Sequence, residues 1–112
     1  MTVSYKSHTT DLRSIVTATQ EMTISVTREF PHYDAATLPM IPELWADVSW
    51  HNDCAPSWLY RDLVVFVDFQ DMADREMGQE NRFIVNHKDT CETVFESNDW
   101  QAVVDFVEQY NA

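Results

Sequence analysis

The run DLVVFVDF, residues 62–69, constrains the fold most, because it is the densest series of β-branched and aromatic side chains in the chain. Such side chains favour an extended strand, in which successive residues point to opposite faces. Apolar residues fall on both faces: Leu63, Val65, Val67 and Phe69 on one, Val64 and Phe66 on the other. The run therefore predicts the central strand of a β-sheet.

Two segments before this run also have strand patterns. In EMTISVTREF, residues 21–30, apolar and polar residues alternate with the period of two expected of a half-buried strand, and Arg28 is the misfit. Residues 31–42 contain three prolines, so we expect a loop there. LWADVSW, residues 44–50, predicts a short strand.

The C-terminal part predicts a hairpin followed by a helix. RFIVNH, residues 82–87, and CETVFES, residues 91–97, are strand-like and are joined by KDT. The helix is indicated by apolar residues at the spacing i, i+3, i+4, i+7, namely Trp100, Val103, Val104 and Val107. Asn98 is the expected N-cap, with Gln101 three residues later as in a capping box.

This order of elements predicts an α+β fold. We expect an antiparallel β-sheet of about four to five strands, with the C-terminal amphipathic helix packed on one face. Residues 10–20 have apolar side chains at helical spacing but are rich in threonine, so a strand stays an alternative to the helix that we favour. The length of 112 residues is typical of one domain, and we expect residues 1–112 to form a single compact acidic domain.

The formal charge of the chain is -12, from 19 acids and 7 bases, and the surplus lies mainly in the second half. Residues 1–61 have a net charge of -3 and residues 62–112 a net charge of -9. Direct binding to nucleic acid or to an anionic membrane is disfavoured, because both depend on Lys and Arg. The single glycine, Gly78, also excludes glycine-rich nucleotide loops. Two interpretations stay open: a solvated surface, or a face that attracts a basic partner.

The partner-binding candidates are carboxylates around the loop that follows the central strand: Asp68, Asp71, Asp74, Glu76 and Glu80. If this loop and the C-terminal helix bring their acids to one side, closely spaced carboxylates resemble a phosphate backbone. The sequence therefore predicts a non-enzymatic interaction protein that occupies the basic, nucleic-acid-binding surface of a larger protein.

An alternative site lies in WHNDCAPSWLY, residues 50–60, where His51, Asn52, Asp53 and Cys54 are consecutive. A cysteine and a histidine within hydrogen-bond reach could form a nucleophile pair, which would indicate a small enzyme or a ligand-binding pocket. The acidic surroundings work against this, because they disfavour the thiolate. We expect instead that the Asn-Asp pair forms a turn bonded to its own backbone, held on the sheet by the aromatic residues around it.

We expect no metal site and no cofactor. The four histidines have none of the paired spacings that zinc sites use, and the acids of residues 68–80 lack the spacing of a calcium loop. We expect the protein to be cytoplasmic, because no segment is apolar enough to span a membrane and residues 1–14 lack the core of a secretory signal. Cys54 and Cys91 are then reduced, although the sequence leaves a disulfide open.

The string WADVSWHNDCAPSW, residues 45–58, resembles the SWHND..PS signature of small proteins carried on phages and plasmids of bacteria. Such mobile elements also encode small acidic inhibitors of host defence, including anti-CRISPR proteins and DNA mimics that block restriction. The size and charge of this chain are similar to theirs. The resemblance implies an inhibitor of a host defence protein and assigns no role to any particular residue.

Overall fold

A computed structural model describes residues 25–78 and 80–110. Within them, each strand pairs antiparallel with the next in the chain, giving one sheet in the order β1-β2-β3-β4-β5. The strands are Ala46–Asp47 (β1), Ser57–Tyr60 (β2), Leu63–Val67 (β3), Phe83–His87 (β4) and Thr93–Ser97 (β5). An α-helix covers residues 25–29 (α1) and another Trp100–Gln109 (α2), and 3-10 helices cover Ala35–Thr37 and Met72–Asp74. The predicted α+β fold is confirmed.

The core lies on one face of the sheet and is centred on β3. Val65 is opposite Trp58 of β2 and Val85 of β4, and all three side chains are fully buried. Helix α2 adds Val103 and Val107 to the same cluster. Burial at alternate positions of β3 follows from the strand period, and β3 is the third of the five strands in the sheet, so the prediction of a central strand is confirmed.

The hairpin of β4 and β5 is also confirmed. His87 donates its backbone N–H to the Glu92 carbonyl at 2.8 Å, and the Cys91 N–H bonds back to the His87 carbonyl at 2.9 Å. Cys91 has a φ of 63° and Arg61, in the turn between β2 and β3, a φ of 56°. In a chain with a single glycine, these turns use other residues in the left-handed region at some conformational cost.

Helix α2 begins one residue later than the predicted cap would place it. The N-cap is Asp99, whose carboxylate accepts from the N–H groups of Gln101 and Ala102. The predicted N-cap, Asn98, instead accepts the backbone N–H of Arg82 at 2.8 Å. Because Arg82 directly precedes β4, this hydrogen bond links the start of α2 to the start of β4. Asn and Asp are equally good caps, so only the tertiary contact of Asn98 separates them.

The predicted strand over residues 21–30 is wrong where the structure describes it, because residues 25–29 are helical. Val26 and Phe30 are both buried in the core, and Phe30 donates its N–H to the Val26 carbonyl at 2.8 Å. A spacing of four residues places two side chains on one face in a strand and also in a helix. Arg28 breaks the strand alternation but lies on the exposed side of the helix.

Strands β1 and β2 differ in how well the sequence predicted them. β1, Ala46–Asp47, lies inside the predicted short strand, whereas β2, Ser57–Tyr60, falls in a segment that we expected to be a loop. The predicted N-terminal helix lies outside the described residues. None of the helices in the described part of the chain is long and apolar enough to cross a membrane.

Candidate functional site

The acidic segment forms the loop between β3 and β4, and one buried carboxylate organises it. Asp68 has no exposed surface, and its side chain accepts the backbone N–H groups of Phe69 at 2.8 Å, Met77 at 2.9 Å and Glu76 at 3.1 Å. Hydrogen bonds from backbone N–H groups compensate a buried carboxylate for its lost water. Asp68 therefore shapes the loop from inside and cannot contact a partner, which removes it from the predicted partner-binding residues.

A buried arginine ties this loop to residues 31–38. The Arg82 guanidinium donates from Nε to the Asp68 carbonyl at 2.8 Å and from Nη2 to the Tyr33 hydroxyl at 2.9 Å and the Thr37 carbonyl at 3.1 Å. Burial raises the pKa of the Tyr33 phenol, against the lowering effect of the Arg82 charge. The phenol therefore stays protonated and donates to the carbonyls of Val67 and Asp68.

A second arginine holds the middle of the loop. The Arg75 guanidinium donates to the carbonyls of Phe69 at 2.9 Å, Gln70 at 3.0 Å and Glu80 at 3.2 Å. These carbonyls come from both ends of the loop, so the hydrogen bonds of Arg75 hold the two ends of the loop together. Two of the three bases among residues 62–112, Arg75 and Arg82, thus donate to backbone carbonyls of the acidic loop.

Three exposed acids of the loop, Asp71, Asp74 and Glu76, line an open groove with a volume of about 580 Å³. Two 3-10 helices lie along it, each with an aspartate N-cap: Asp34 accepts the Ala36 N–H at 3.1 Å and Asp71 accepts the Ala73 N–H at 3.0 Å. The carboxylates in the groove lining are Asp34, Asp71, Asp74 and Glu76, and the other lining side chains include Tyr33, Phe69, His32 and Arg75. We call this surface the acidic groove.

The predicted partner-binding set is therefore only partly brought together. Asp71, Asp74 and Glu76 share the acidic groove, Asp68 lies beneath it, and Glu80 is exposed but does not line it. Asp34 was missed, because it belongs to the first half of the chain, where the acids are less dense. Its position directly before Ala35 and Ala36 is the local signal that predicts a capping aspartate.

The alternative site at residues 51–54 does not form a pocket in which its side chains converge. His51 bonds to Glu29 of α1 instead of Cys54: its Nδ1 is 2.9 Å and its backbone N 3.1 Å from Glu29 Oε1. This contact lowers the pKa of the Glu29 carboxyl. Asn52, Asp53 and Cys54 are exposed, and the turn is closed by the Asp53 N–H donating to the Trp50 carbonyl at 2.9 Å.

The expected support of this turn also differs from the structure. The side chains of Asn52 and Asp53 make none of the expected bonds to their own backbone among the described residues. Trp58 is fully buried as part of β2, but Trp50 is 50% exposed and contacts the His51 ring at a centroid distance of 4.2 Å. The turn is therefore held by the strand that follows it and by the contact with Glu29.

Neither predicted nor alternative residues form a metal centre in residues 25–78 and 80–110, where no three His, Cys, Asp or Glu side chains are placed to hold an ion. Cys54 and Cys91 are free thiols, and both are exposed, so the disulfide that the sequence left open is not formed. A scan against protein-family models finds no match, and searches of curated proteins and of solved structures find none either.

Proposed function

We propose that this protein is a small acidic, non-enzymatic interaction protein that inhibits a larger protein by occupying its basic, nucleic-acid-binding surface. The observation that carries the proposal is the acidic groove, in which four carboxylates line one open depression. Carboxylates that share one groove repel one another, and a partner's Lys and Arg side chains would relieve that repulsion. The net charge of -12 would also speed the encounter with a basic surface.

Hydrogen bonds beneath the acidic groove hold the backbone that carries its exposed carboxylates. Asp68, Arg75 and Arg82 bond to the backbone of the loop or of its neighbours, so the exposed acids stand on a braced framework. Bracing reduces the ordering cost of binding. The resemblance of residues 45–58 to proteins of phages and plasmids supports a host defence protein, of the kind that anti-CRISPR or anti-restriction proteins inhibit, as the partner.

The proposal is tested by affinity capture from a bacterial lysate followed by a nucleic-acid competition assay. The wild-type protein and a triple variant, Asp71→Asn with Asp74→Asn and Glu76→Gln, serve as matched baits, and the washes increase in salt. We expect a basic protein that is retained by the wild type, released at high salt and retained poorly by the triple variant. In a mobility-shift assay, the captured protein should lose its nucleic acid when the wild-type protein is added.

The result against the proposal is equally specific. A captured protein that is retained equally by both baits and at all salt concentrations would show that the acidic groove is only a solvated surface. A captured protein that keeps its nucleic acid in the presence of this chain would show that the two do not compete for one surface.

A further inference from the structure

Residues 38–42, LPMIP, connect the first 3-10 helix to the turn before β1 and have no regular secondary structure. Leu38 has a φ of -62° and a ψ of 137°, which are polyproline II values. The rings of Pro39 and Pro42 fix φ near about -65°, and Ile41 is restricted to extended backbone because a proline follows it. These constraints favour a polyproline II helix, with three residues per turn, over residues 38–42, which we call the proline segment.

Burial along the proline segment repeats with the same period of three. Leu38 and Ile41 both pack against the core, whereas Met40 and Glu43 are both exposed. The two prolines lie between these edges and are partly exposed. A helix of three residues per turn has three edges, so the segment rests on the core along one edge and presents the other two to solvent.

Two hydrogen bonds and an aromatic cluster hold the proline segment in place. The Trp100 indole donates to the Met40 carbonyl at 3.0 Å. The Pro42 carbonyl accepts the backbone N–H of Trp45 at 3.1 Å. The Trp100 ring contacts the rings of Trp45 and Phe83, at centroid distances of 5.7 Å and 4.9 Å. Because the fold already orders this backbone, a partner that binds it causes little further loss of conformational entropy.

The outer edge of the proline segment is open and apolar. Met40 is 88% exposed and Leu44, just beyond the segment, is 79% exposed, the two highest values among the large apolar side chains that the structure describes. Fractions this high mean that both side chains are open to solvent. Single exposed apolar residues are common on protein surfaces, but Met40 stands between two prolines on a backbone that is fixed from below.

The chemistry of the proline segment selects the partner. Grooves lined by aromatic rings bind polyproline II segments, because this helix is already ordered and its proline rings pack on flat aromatic faces. The Met40 thioether favours the same surroundings, since contacts between sulfur and aromatic rings are stabilising. Glu43 is exposed on the same edge, and residues 29–60 contain no Lys or Arg, so a groove with a basic rim is favoured.

We propose that the proline segment docks into an aromatic-lined groove of another protein, through its two prolines and Met40, with a basic residue of that groove beside Glu43. This inference goes beyond the proposed function, because the docking needs neither the acidic groove nor a nucleic-acid-binding surface. The fold contributes a ligand that is ordered before the partner arrives, and the partner contributes the aromatic rings.

The test is calorimetric titration of the full chain with an SH3 domain and a WW domain, two probes that have aromatic-lined grooves for proline segments. We expect at least one probe to bind the wild type, and Pro39→Ala combined with Pro42→Ala to weaken that binding about tenfold. Met40→Ser should also weaken it without a change in melting temperature, because Met40 is exposed. Pro31→Ala and Met72→Ala change exposed residues outside the segment and are the matched controls, which should bind as the wild type does.

Failure of both probes to bind the wild type would overturn the docking site, and so would binding that the proline and Met40 variants leave unchanged. A wild-type dimer that Met40→Ser dissociates, measured by analytical ultracentrifugation, would also overturn it, because a second copy would then occupy the segment. The triple variant of the acidic groove should bind the probes as the wild type does. Loss of binding in that variant would place the probes in the acidic groove instead, whereas the other outcomes leave the proposed function untouched.

Discussion

Two polar loops in the described part of the chain are built in opposite ways. The loop between β3 and β4 is anchored from inside, by the buried Asp68 carboxylate and the buried Arg82 guanidinium, and it presents acids on its surface. The turn between β1 and β2 is anchored only by partly buried side chains: Asp47 accepts the Ser49 N–H at 2.9 Å and Ser49 accepts the Ser57 N–H at 3.2 Å. Its contact with α1 is the pair of His51 and Glu29, in which the His51 side chain is 55% exposed. The turn contains consecutive His, Asn, Asp and Cys residues, which indicated a possible active site. The internal hydrogen bonds, however, show that the loop between β3 and β4 is the more firmly held of the two surfaces.

The largest expected effect distinguishes the turn from the strand that follows it. Trp58→Ala removes a fully buried side chain of β2 and should destabilise the fold by about 3–5 kcal/mol, whereas Trp50→Ala should cost less than about 1 kcal/mol. Urea denaturation measures both. Trp58→Phe should be milder, because it keeps an aromatic ring and removes an indole N–H that has no hydrogen-bond partner in the described structure. Equal losses at Trp50 and Trp58 would mean that the turn is held by both rings.

The next effect tests the anchor of the loop. Asp68→Ala leaves the N–H groups of Phe69, Glu76 and Met77 without their acceptor and should cost about 2–3 kcal/mol by urea denaturation. The same change should increase amide hydrogen exchange across residues 69–77. Asp53→Ala in the turn is the control and should be almost neutral, because Asp53 is exposed. If Asp68→Ala were as neutral as the control, the loop would not depend on its anchor.

A smaller, pH-dependent effect tests the exposed pair at the turn. The folded-state pKa of Glu29 is lowered, chiefly by its bond to His51, so the pair stabilises the fold above the ordinary carboxyl value of 4.5 and loses that effect as the pH falls through the folded value. Thermal melts of Glu29→Gln should therefore lie slightly below wild type at pH 6 and converge with it in acid. Glu43→Gln changes an exposed carboxylate and should show no such convergence, whereas the Glu29 side chain is only 16% exposed. A constant difference at all pH values would rule out the ionised carboxylate as the source.

The smallest effect concerns the surface of the loop. The triple variant at Asp71, Asp74 and Glu76 should melt at the same temperature as wild type or slightly higher, because repulsion among the carboxylates falls. Asn at position 71 can still accept the Ala73 N–H, so the short 3-10 helix keeps its cap. A clear drop in melting temperature would show that these three acids stabilise the fold. The distinction between the buried anchor Asp68 and the exposed acids of the groove would then be wrong.

Local patterns predicted the parts of the fold that local physics decides. The dense β-branched and aromatic run of β3, the hairpin of β4 and β5 and the apolar stripe of α2 each specify an element over several residues. The prediction of a strand was wrong at residues 25–29, because the spacing of Val26 and Phe30 fits a helix and a strand equally well. The strand Ser57–Tyr60 was not predicted, because its four residues follow turn-forming residues. Its pairing with β1 and β3 depends on tertiary structure, which no local pattern shows.

For the candidate site, the sequence by itself determined that the molecule is acidic, that many of its acids lie around the loop after β3, and that a single glycine cannot form a glycine-rich nucleotide loop. Only the tertiary structure decided which carboxylates are buried and which are exposed in the groove. Asp68 is buried and anchors the loop. The groove is lined by Asp71, Asp74 and Glu76, and by Asp34 from the first half of the chain. Composition and local spacing do not encode burial. The burial of a carboxylate depends on N–H donors and packed neighbours that the folded chain brings from distant positions.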